Sequence, residues 1–421
     1  MTAPERALLD AARAQADAAA VPLWLVGGAV RDLALGRDVH DLDLALAGDA
    51  GAFAAGVIAR LPARSRPLAT LEAEPRFGTA SVRLTEGDAA AEAIPARLDL
   101  ARLRTEHYVS PGALPVVAQA DNIEADLARR DFTVNAMALG LAGGVAGVIS
   151  DPAGGLTDLA ARRLRVLHPR SFEDDATRLW RGARTAALFD LAPDEATARL
   201  IAAGTAYLNT ISGDRITAEL AFTARRGRAG RTLALAEAWG VLRGTHPALR
   251  LHEATRRALR RRTGPLPVEV LLALLIAPDD VAAQRRAILE RLAVSRALAG
   301  TVEHAAALLA AGRAGDATPE ALARLGGATE AARTAARWLD PERQPSLQRD
   351  LRRWERTRPA LDAATLMRLG MPQGPRLGAA LDGLRRARYL GTLRTRAEAM
   401  RAVRRRLTAG DDGPTGAGWV E

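Results

Sequence analysis

The chain has 421 residues, 48% hydrophobic and 26% charged, a globular composition that excludes collagen-like order and wholesale disorder. It contains no cysteine, which removes disulfide frameworks, thiolate metal sites and a catalytic thiol. The formal net charge of +10 is uneven: residues 1–150 carry 14 arginines against 19 acidic side chains, and every remaining basic side chain besides histidine is also arginine. At this length two to four packed units are expected. An acidic front half ahead of a strongly basic back half suggests an anionic partner held by one part and chemistry in the other, although a solvated helical surface would give the same balance. No apolar run reaches membrane-spanning length; Val268–Ala277 comes nearest and Pro278-Asp279-Asp280 stops it. The N-terminus carries Glu5, Arg6, Asp10 and Arg13, unlike a signal peptide, so a cytoplasmic protein is expected.

Along the chain, Ala7–Ala20 reads as a helix and Leu23–Val26 as a short buried strand ended by Gly27-Gly28. Ala29–Leu35 reads as a helix. Leu42–Leu46, Gly78–Leu84 and Arg97–Leu103 read as strands, with a polar, alanine-rich loop at Thr85–Pro95. From about residue 157 the pattern turns to helices with Ala, Leu and Arg at 3.6 spacing, punctuated by Gly and Pro. The expected architecture is a small α+β head on a long helical body, and Ala409–Glu421 reads as a loose tail.

Two features of the head suggest phosphate chemistry. Gly27-Gly28-Ala29-Val30-Arg31-Asp32 follows a strand and opens a helix, so backbone amides and the helix terminus could receive phosphate oxygens, with Arg31 in reach. A plain strand–helix turn fits the same residues. Asp41 and Asp43 fall on one face at the start of an apolar strand, where two carboxylates repel unless a cation lies between them. Oxygen-only ligands favour Mg²⁺, and Asp99 on a neighbouring strand could complete a two-metal site for nucleotidyl transfer. The competing reading is a solvated edge strand with polar caps.

Leu25-Val26-Gly27-Gly28-Ala29-Val30-Arg31-Asp32 with Asp41-Leu42-Asp43 resembles the opening signature of class II CCA-adding tRNA nucleotidyltransferases and bacterial poly(A) polymerases, within the DNA polymerase beta superfamily. The resemblance continues in order. Arg76–Ala80 is similar to the strand before the family's flexible loop, and Asp126–Ala138 to its ribose-selection motif. Asp151–Leu159 is similar to its hinge, Phe172–Arg184 to its base-reading helix, and Ser212–Ile216 with Glu219-Leu220 to its helix-stabilising motif. It covers residues from about 21 to 225.

The resemblance implies an α+β nucleotidyltransferase head (1–140), then an all-α neck with the base-reading helix (141–225), a helical body (226–340) and a helical, tRNA-binding tail (341–421). It implies tRNA as partner, CTP and ATP as substrates and Mg²⁺ as cofactor. Asp41, Asp43 and Asp99 would be catalytic, with the metal on Asp41 and Asp43. Gly27, Gly28 and Arg31 would meet the triphosphate, and Arg129, Arg130, Asp131 and Asn135 the sugar. Asp175, Arg178, Arg181 and Arg184 would meet the base. Cytosine and adenine each present an amino donor beside a ring-nitrogen acceptor, so a carboxylate and a guanidinium can read both and reject uracil and guanine. The same Asp175 and Arg178 would otherwise form an exposed intrahelical ion pair. Asp174 stands where the family usually has Glu.

Glycines 154 and 155 would serve as a hinge, and Ser212, Arg215 and Glu219 would brace the base-reading helix. His40, His107 and His168 show no metal-ligand spacing. The body carries arginine clusters, Arg352-Arg353 and Arg385-Arg386 among them, that could grip RNA phosphates or simply face solvent. Gly374-Pro375 reads as a helix entry. The implied activity is templateless addition of CMP and AMP to tRNA. The alternatives are an A-adding, CC-adding or poly(A)-adding specialist, and more remotely a non-catalytic RNA-binding protein.

Overall fold

The computed structural model describes residues 1–39, 42–85 and 96–409. His40, Asp41, the loop beyond Thr85 and the tail after Ala409 lie outside the described residues. The chain divides into two compact units. The first is Met1–Leu251 with Thr263–Pro265 and Arg291–Ala293; the second is His252–Arg262, Leu266–Glu290 and Val294 onward.

The first unit opens with helix α1, Ala3–Ala19, four residues ahead of the expected start. Thr2 and Glu5 form a reciprocal cap and proline occupies the first turn, so helix begins where no apolar pattern marks it. Strand β1 is Leu23–Val26, buried on both faces, which is why it reads as an unbroken apolar run. Helix α2 is Gly28–Ala34 and strand β2 is Leu42–Leu46. Helix α3 (Ala50–Arg60) and strand β3 (Ala69–Glu74) were not legible, since one is small and apolar throughout and the other is exposed along most of its length. Strands β4, Thr79–Leu84, and β5, Ala96–Arg102, stand close to expectation. Strands β6 (Arg104–His107) and β7 (Val116–Gln119) pair only with each other, as a separate hairpin. Helix α4 is Ile123–Ala128; β8, Ala138–Ala142, and β9, Ile149–Ser150, complete a seven-stranded sheet in the order β3-β4-β5-β2-β1-β8-β9.

Pairing in that sheet is antiparallel except between β2 and β5. The β2–β5 pairing sets Asp43 directly beside Asp99. One face of the sheet is covered by α1 and α3 through Leu8, Ala12, Phe53 and Val57. The other carries a smaller apolar cluster of Trp24, Val26, Leu103, Ile123 and Leu127.

After the sheet the unit turns helical, as expected, with α5 at Gly155–Ala160. Gly154-Gly155 is a packed turn here. Asp151 accepts from the Gly155 and Leu156 amides, and a Cβ on Gly155 would lie 2.3 Å from the Thr133 carbonyl oxygen. Close backbone approach therefore requires the second glycine. Two-residue strands β10 (Arg163–Leu164) and β11 (Ala192–Pro193) pair in parallel around the next segment.

That segment corrects one expectation. Phe172–Arg184 is two helices, α6 at Ser171–Asp174 and α7 at Thr177–Phe189, with Asp175 extended between them. The Asp175 carboxylate accepts from the Thr177 amide and hydroxyl, which starts a new helix rather than continuing the old one. Helices α8 (Glu195–Gly204), α9 (Gly213–Arg226), α10 (Ala229–Ala238) and α11 (Val241–Thr245) complete the unit.

The second unit is helical throughout its described residues, from Glu253–Leu259 to Arg396–Ala409. The apolar run of the sequence is its helix Val268–Ile276, in which Val270 to Ile276 are all buried. Among the described residues no helix is long and apolar enough to cross a membrane. The last helices share a small core of Leu361, Leu366, Leu384 and Val403. Pro375 does open a helix, Pro375–Leu390, with Gly374 as its cap.

Candidate active site

Gly27 closes β1 with φ +71° and caps α2, a backbone region open to glycine and strained for other residues. A Cβ there would also lie 2.8 Å from an Arg130 guanidinium nitrogen, so the elbow and that guanidinium are packed against each other. The Val30 and Arg31 amides donate back to the Gly27 carbonyl, so only the opening amides of α2 could receive an anion.

Asp43 projects from β2 and reaches solvent, its neighbours on the strand being buried. Surrounding protein nonetheless raises its pKa above the ordinary value, with the Asp99 carboxylate adding to the shift and Arg130, Arg97 and Arg181 opposing it. Asp99 is fixed from one side: its Oδ1 accepts from the Ser81 hydroxyl and, at 2.8 Å, from Arg97. Asp43 and Asp99 thus set two carboxylates side by side, and the Asp99 charge adds to the upward shift of Asp43. Oxygen donors of this kind suit a hard divalent cation. Asp41 lies outside the described residues, and among those described no group of three His, Asp or Glu is gathered as a metal site.

The ribose-motif residues separate into different environments. Arg129 is committed to protein, donating to Asp126, to Glu106 at 2.8 Å and to the Arg104 carbonyl. Arg130 donates to Asp126 at 3.1 Å, and its buried Nε has no partner among the described residues. Asp126, 1% exposed, anchors both arginines; burial would raise its pKa but the two guanidiniums hold it below its ordinary value. Asp131 accepts from the Phe132 amide, from Asn135 and from Arg181 at 2.8 Å. Burial opposes ionisation there, yet Arg181, Asn135, Arg178 and the amide hold the carboxyl at about 2. It therefore stays charged at any pH where an enzyme works, and the ion pair is not a pH switch.

Arg31 is buried and bonded within the protein. It donates to Asn135 at 2.5 Å and to Asp32, and its guanidinium lies 3.8 Å from the Phe189 ring centre at the end of α7. Burial lowers its pKa, against Asp32, which raises it. Arg31 thus ties α2 to the ribose motif and to α7, a linkage its place in the motif did not reveal.

Asp175 and Arg178 are not an ion pair. Asp175 Oδ1 accepts from Thr177 and, at 2.8 Å, from Arg215, while its Oδ2 takes no hydrogen bond among the described residues. Arg178, 4% exposed, donates to the Ser171 hydroxyl at 2.9 Å and to the Arg129 carbonyl at 2.9 Å. Arg181 pairs with Asp131, which raises its pKa further. Arg184 pairs with Glu219 and lies over Phe222. Arg215 and Glu219 hold the α6–α7 segment from α9; the Ser212 hydroxyl makes no capping bond.

The structure brings Gly27, Arg130, Asp43 and Asp99 together, and ties Asp131 to Arg181. Sequence reasoning missed Asp126, Glu106, Arg97, Ser171 and Phe189. Only Asp126 left a signal, since it precedes Arg129 and Arg130 by three and four residues.

This geometry can be set beside known proteins. Residues 23–165 match the poly(A) polymerase head domain. The chain is 35% identical over 389 residues to the CC-adding tRNA nucleotidyltransferase of Deinococcus radiodurans, covering 92% of this chain and 90% of that one. The chain belongs to the tRNA nucleotidyltransferase family. It is also 33% identical over 241 residues to the A-adding enzyme of Geobacter sulfurreducens, covering 57% of this transferase but only 26% of that longer protein. Among solved structures, the apo form II of a CCA-adding enzyme is 25% identical with a TM-score of 0.71, over 94% of this chain and 95% of that one. The family has its α+β head and helical body here in the expected order.

Proposed function

We propose that this nucleotidyltransferase adds CMP and AMP, from CTP and ATP, to the 3′ end of tRNA in the cytoplasm. The observation that carries the reading is the placement of Asp43 beside Asp99, facing Arg130 and the Gly27 elbow. Asp43, with Asp41 two residues before it, would hold divalent cations such as Mg²⁺, which when bound activate the primer 3′-hydroxyl and neutralise charge on the triphosphate. Asp99, locked by Ser81 and Arg97, would complete the carboxylate set beside Asp43. Arg130 brings a permanent cation to the elbow where the triphosphate would lie, and the opening amides of α2 offer donors to its oxygens. Asp131 and Asn135 would meet the ribose, and a missing hydroxyl would leave such buried groups unpaired.

Base choice would follow from donors and acceptors fixed in advance. The unused Oδ2 of Asp175 can accept from the amino group of cytosine or adenine, and Arg178 can donate to the adjacent ring nitrogen. Uracil and guanine present a carbonyl where the amine should be. Relatives of A-adding and CC-adding type are both similar to this chain, so similarity does not choose among the specialised alternatives. Supplying tRNA shortened by one, two or three terminal nucleotides with each nucleoside triphosphate separates them. CCA addition requires CTP use on the two shorter tRNAs and ATP use on the longest. Incorporation confined to one of these steps identifies a specialist, and no incorporation contradicts the reading.

The second unit offers a surface for the RNA. Arg349, Arg352, Arg353, Arg356, Arg358 and Arg388 line one cleft of about 640 Å³, and none of the six has a carboxylate partner among the described residues. Like charges gathered without counter-charge are suited to phosphodiesters. Replacing Arg352 and Arg356 together by glutamate is expected to weaken tRNA binding about tenfold near 0.1 M salt and to flatten its salt dependence. Filter binding across a salt series checks this, and an unchanged slope would show that RNA does not enter the cleft.

A further inference from the structure

The hairpin of β6 and β7 has no role in the reading so far, yet the ring at its end lies 6.0 Å from the guanidinium of the candidate base-reading arginine. We propose that Tyr108, at the end of β6, is a specificity-determining residue that holds Arg178 in the orientation needed to reject UTP and GTP. The proposal rests on the base-reading role given to Arg178 above.

Four residues form a closed circuit. The Tyr108 hydroxyl donates to Glu106 Oε2 at 3.1 Å. The other oxygen of Glu106 accepts from Arg129 at 2.8 Å and from Arg104 at 3.0 Å. The Arg129 carbonyl accepts from Arg178 at 2.9 Å. The Arg178 guanidinium then lies 6.0 Å from the centre of the Tyr108 ring, closing the loop. Burial, with Glu106 second, pushes the Tyr108 hydroxyl up to about 12, so it remains a neutral donor to Glu106. The tyrosine also feels the charges of both Arg178 and Asp175.

Each contact restricts a different freedom. Ser171 and the Arg129 carbonyl fix two guanidinium nitrogens of Arg178. His168 Nε2 lies 3.4 Å from one of those nitrogens, and the Tyr108 ring, centred 6.0 Å from the guanidinium carbon, is placed to bias its tilt. Tilt matters because a guanidinium discriminates only when an N–H points along the lone pair of the base's ring nitrogen. Elsewhere the hairpin end is pinned: a Cβ on Gly112 would lie 2.4 Å from the Thr210 carbonyl oxygen. Tyr108 is thus held at its hydroxyl by Glu106 and through its loop by the helical segment at Thr210.

The test uses the full chain and tRNA lacking its three terminal nucleotides, with single-turnover rates for CTP and UTP. Tyr108→Leu is expected to lower the CTP-over-UTP ratio about tenfold, and Tyr108→Phe, which keeps the ring, to lower it no more than about threefold. Glu106→Gln is expected to alter KM for CTP and UTP alike through Arg129, with a ratio change no larger than that of Tyr108→Phe. Adding Tyr108→Leu to Arg178→Ala is expected to cost no further selectivity, since the two act through one contact. Thermal melts confirm that the variants fold. If Arg178→Ala loses selectivity and folded Tyr108→Leu retains it, the Tyr108 proposal fails alone. Should the leucine variant not fold, Tyr108→Met, which also removes the ring, is read in its place under the same criterion. If Arg178→Ala itself retains selectivity, the base-reading assignment fails and the role of Tyr108 falls with it.

Discussion

Asp43→Ala is expected to lower nucleotide incorporation on the order of a thousandfold or more while tRNA affinity stays within about twofold. The side chain stands at a strand surface beside Asp99, within the influence of Arg130, Arg97 and Arg181, so its charge is not part of the core packing. Neighbouring Leu42, Leu44 and Leu46 carry the packing of β2, and their burial is untouched by the change. Asp43→Asn separates charge from shape: it keeps the volume, loses the negative charge, and should lose nearly as much activity. Single-turnover incorporation and filter binding on the same preparations check both halves. A variant with wild-type turnover would show that Asp43 holds nothing needed for the reaction.

Arg178→Ala is expected to reduce discrimination against UTP by about 10- to 100-fold, the loss that follows when one base-directed donor is removed. Its guanidinium is buried and held by Ser171 and the Arg129 carbonyl, so a preset donor disappears and the base edge loses its reader. CTP incorporation should slow as well, but by less than UTP rejection weakens. Asp175→Asn gives the complementary result, because an amide in place of the carboxylate can present a donor to the uracil carbonyl. Competition between CTP and UTP on one tRNA measures the ratio directly, and undiminished selectivity in both variants would place base choice elsewhere.

Much of the head was legible because its signals are local. Leu23–Val26 is a pure apolar run between turns, and Gly27-Gly28 must end it. Around Asp43 the alternation holds in part: Asp43 is exposed between buried Leu42 and Leu44, but Ala45 is buried too, and Asp41 lies outside the described residues. What escaped depends on contacts distant in sequence. Strand β3 has hardly a buried side chain, so its existence rests on its ladder with β4. The break at Asp175 arises from a side chain capping the next helix, a competition that periodicity cannot register. Within the site, residue types pointed to the right regions but not to the partners. Arg31 reads as a phosphate ligand by position, yet it is spent on Asn135, Asp32 and Phe189. Arg129 reads as a sugar ligand, yet Asp126 and Glu106 absorb it, and it is Arg130 that packs against the elbow.

The most direct measurement is the sequence of the product made from tRNA lacking its three terminal nucleotides when all four nucleoside triphosphates and Mg²⁺ are present. A templateless reader built on Asp175 and Arg178 predicts a tail of C, C and A, ending there. Tails containing U or G, or no extension at all, would contradict it.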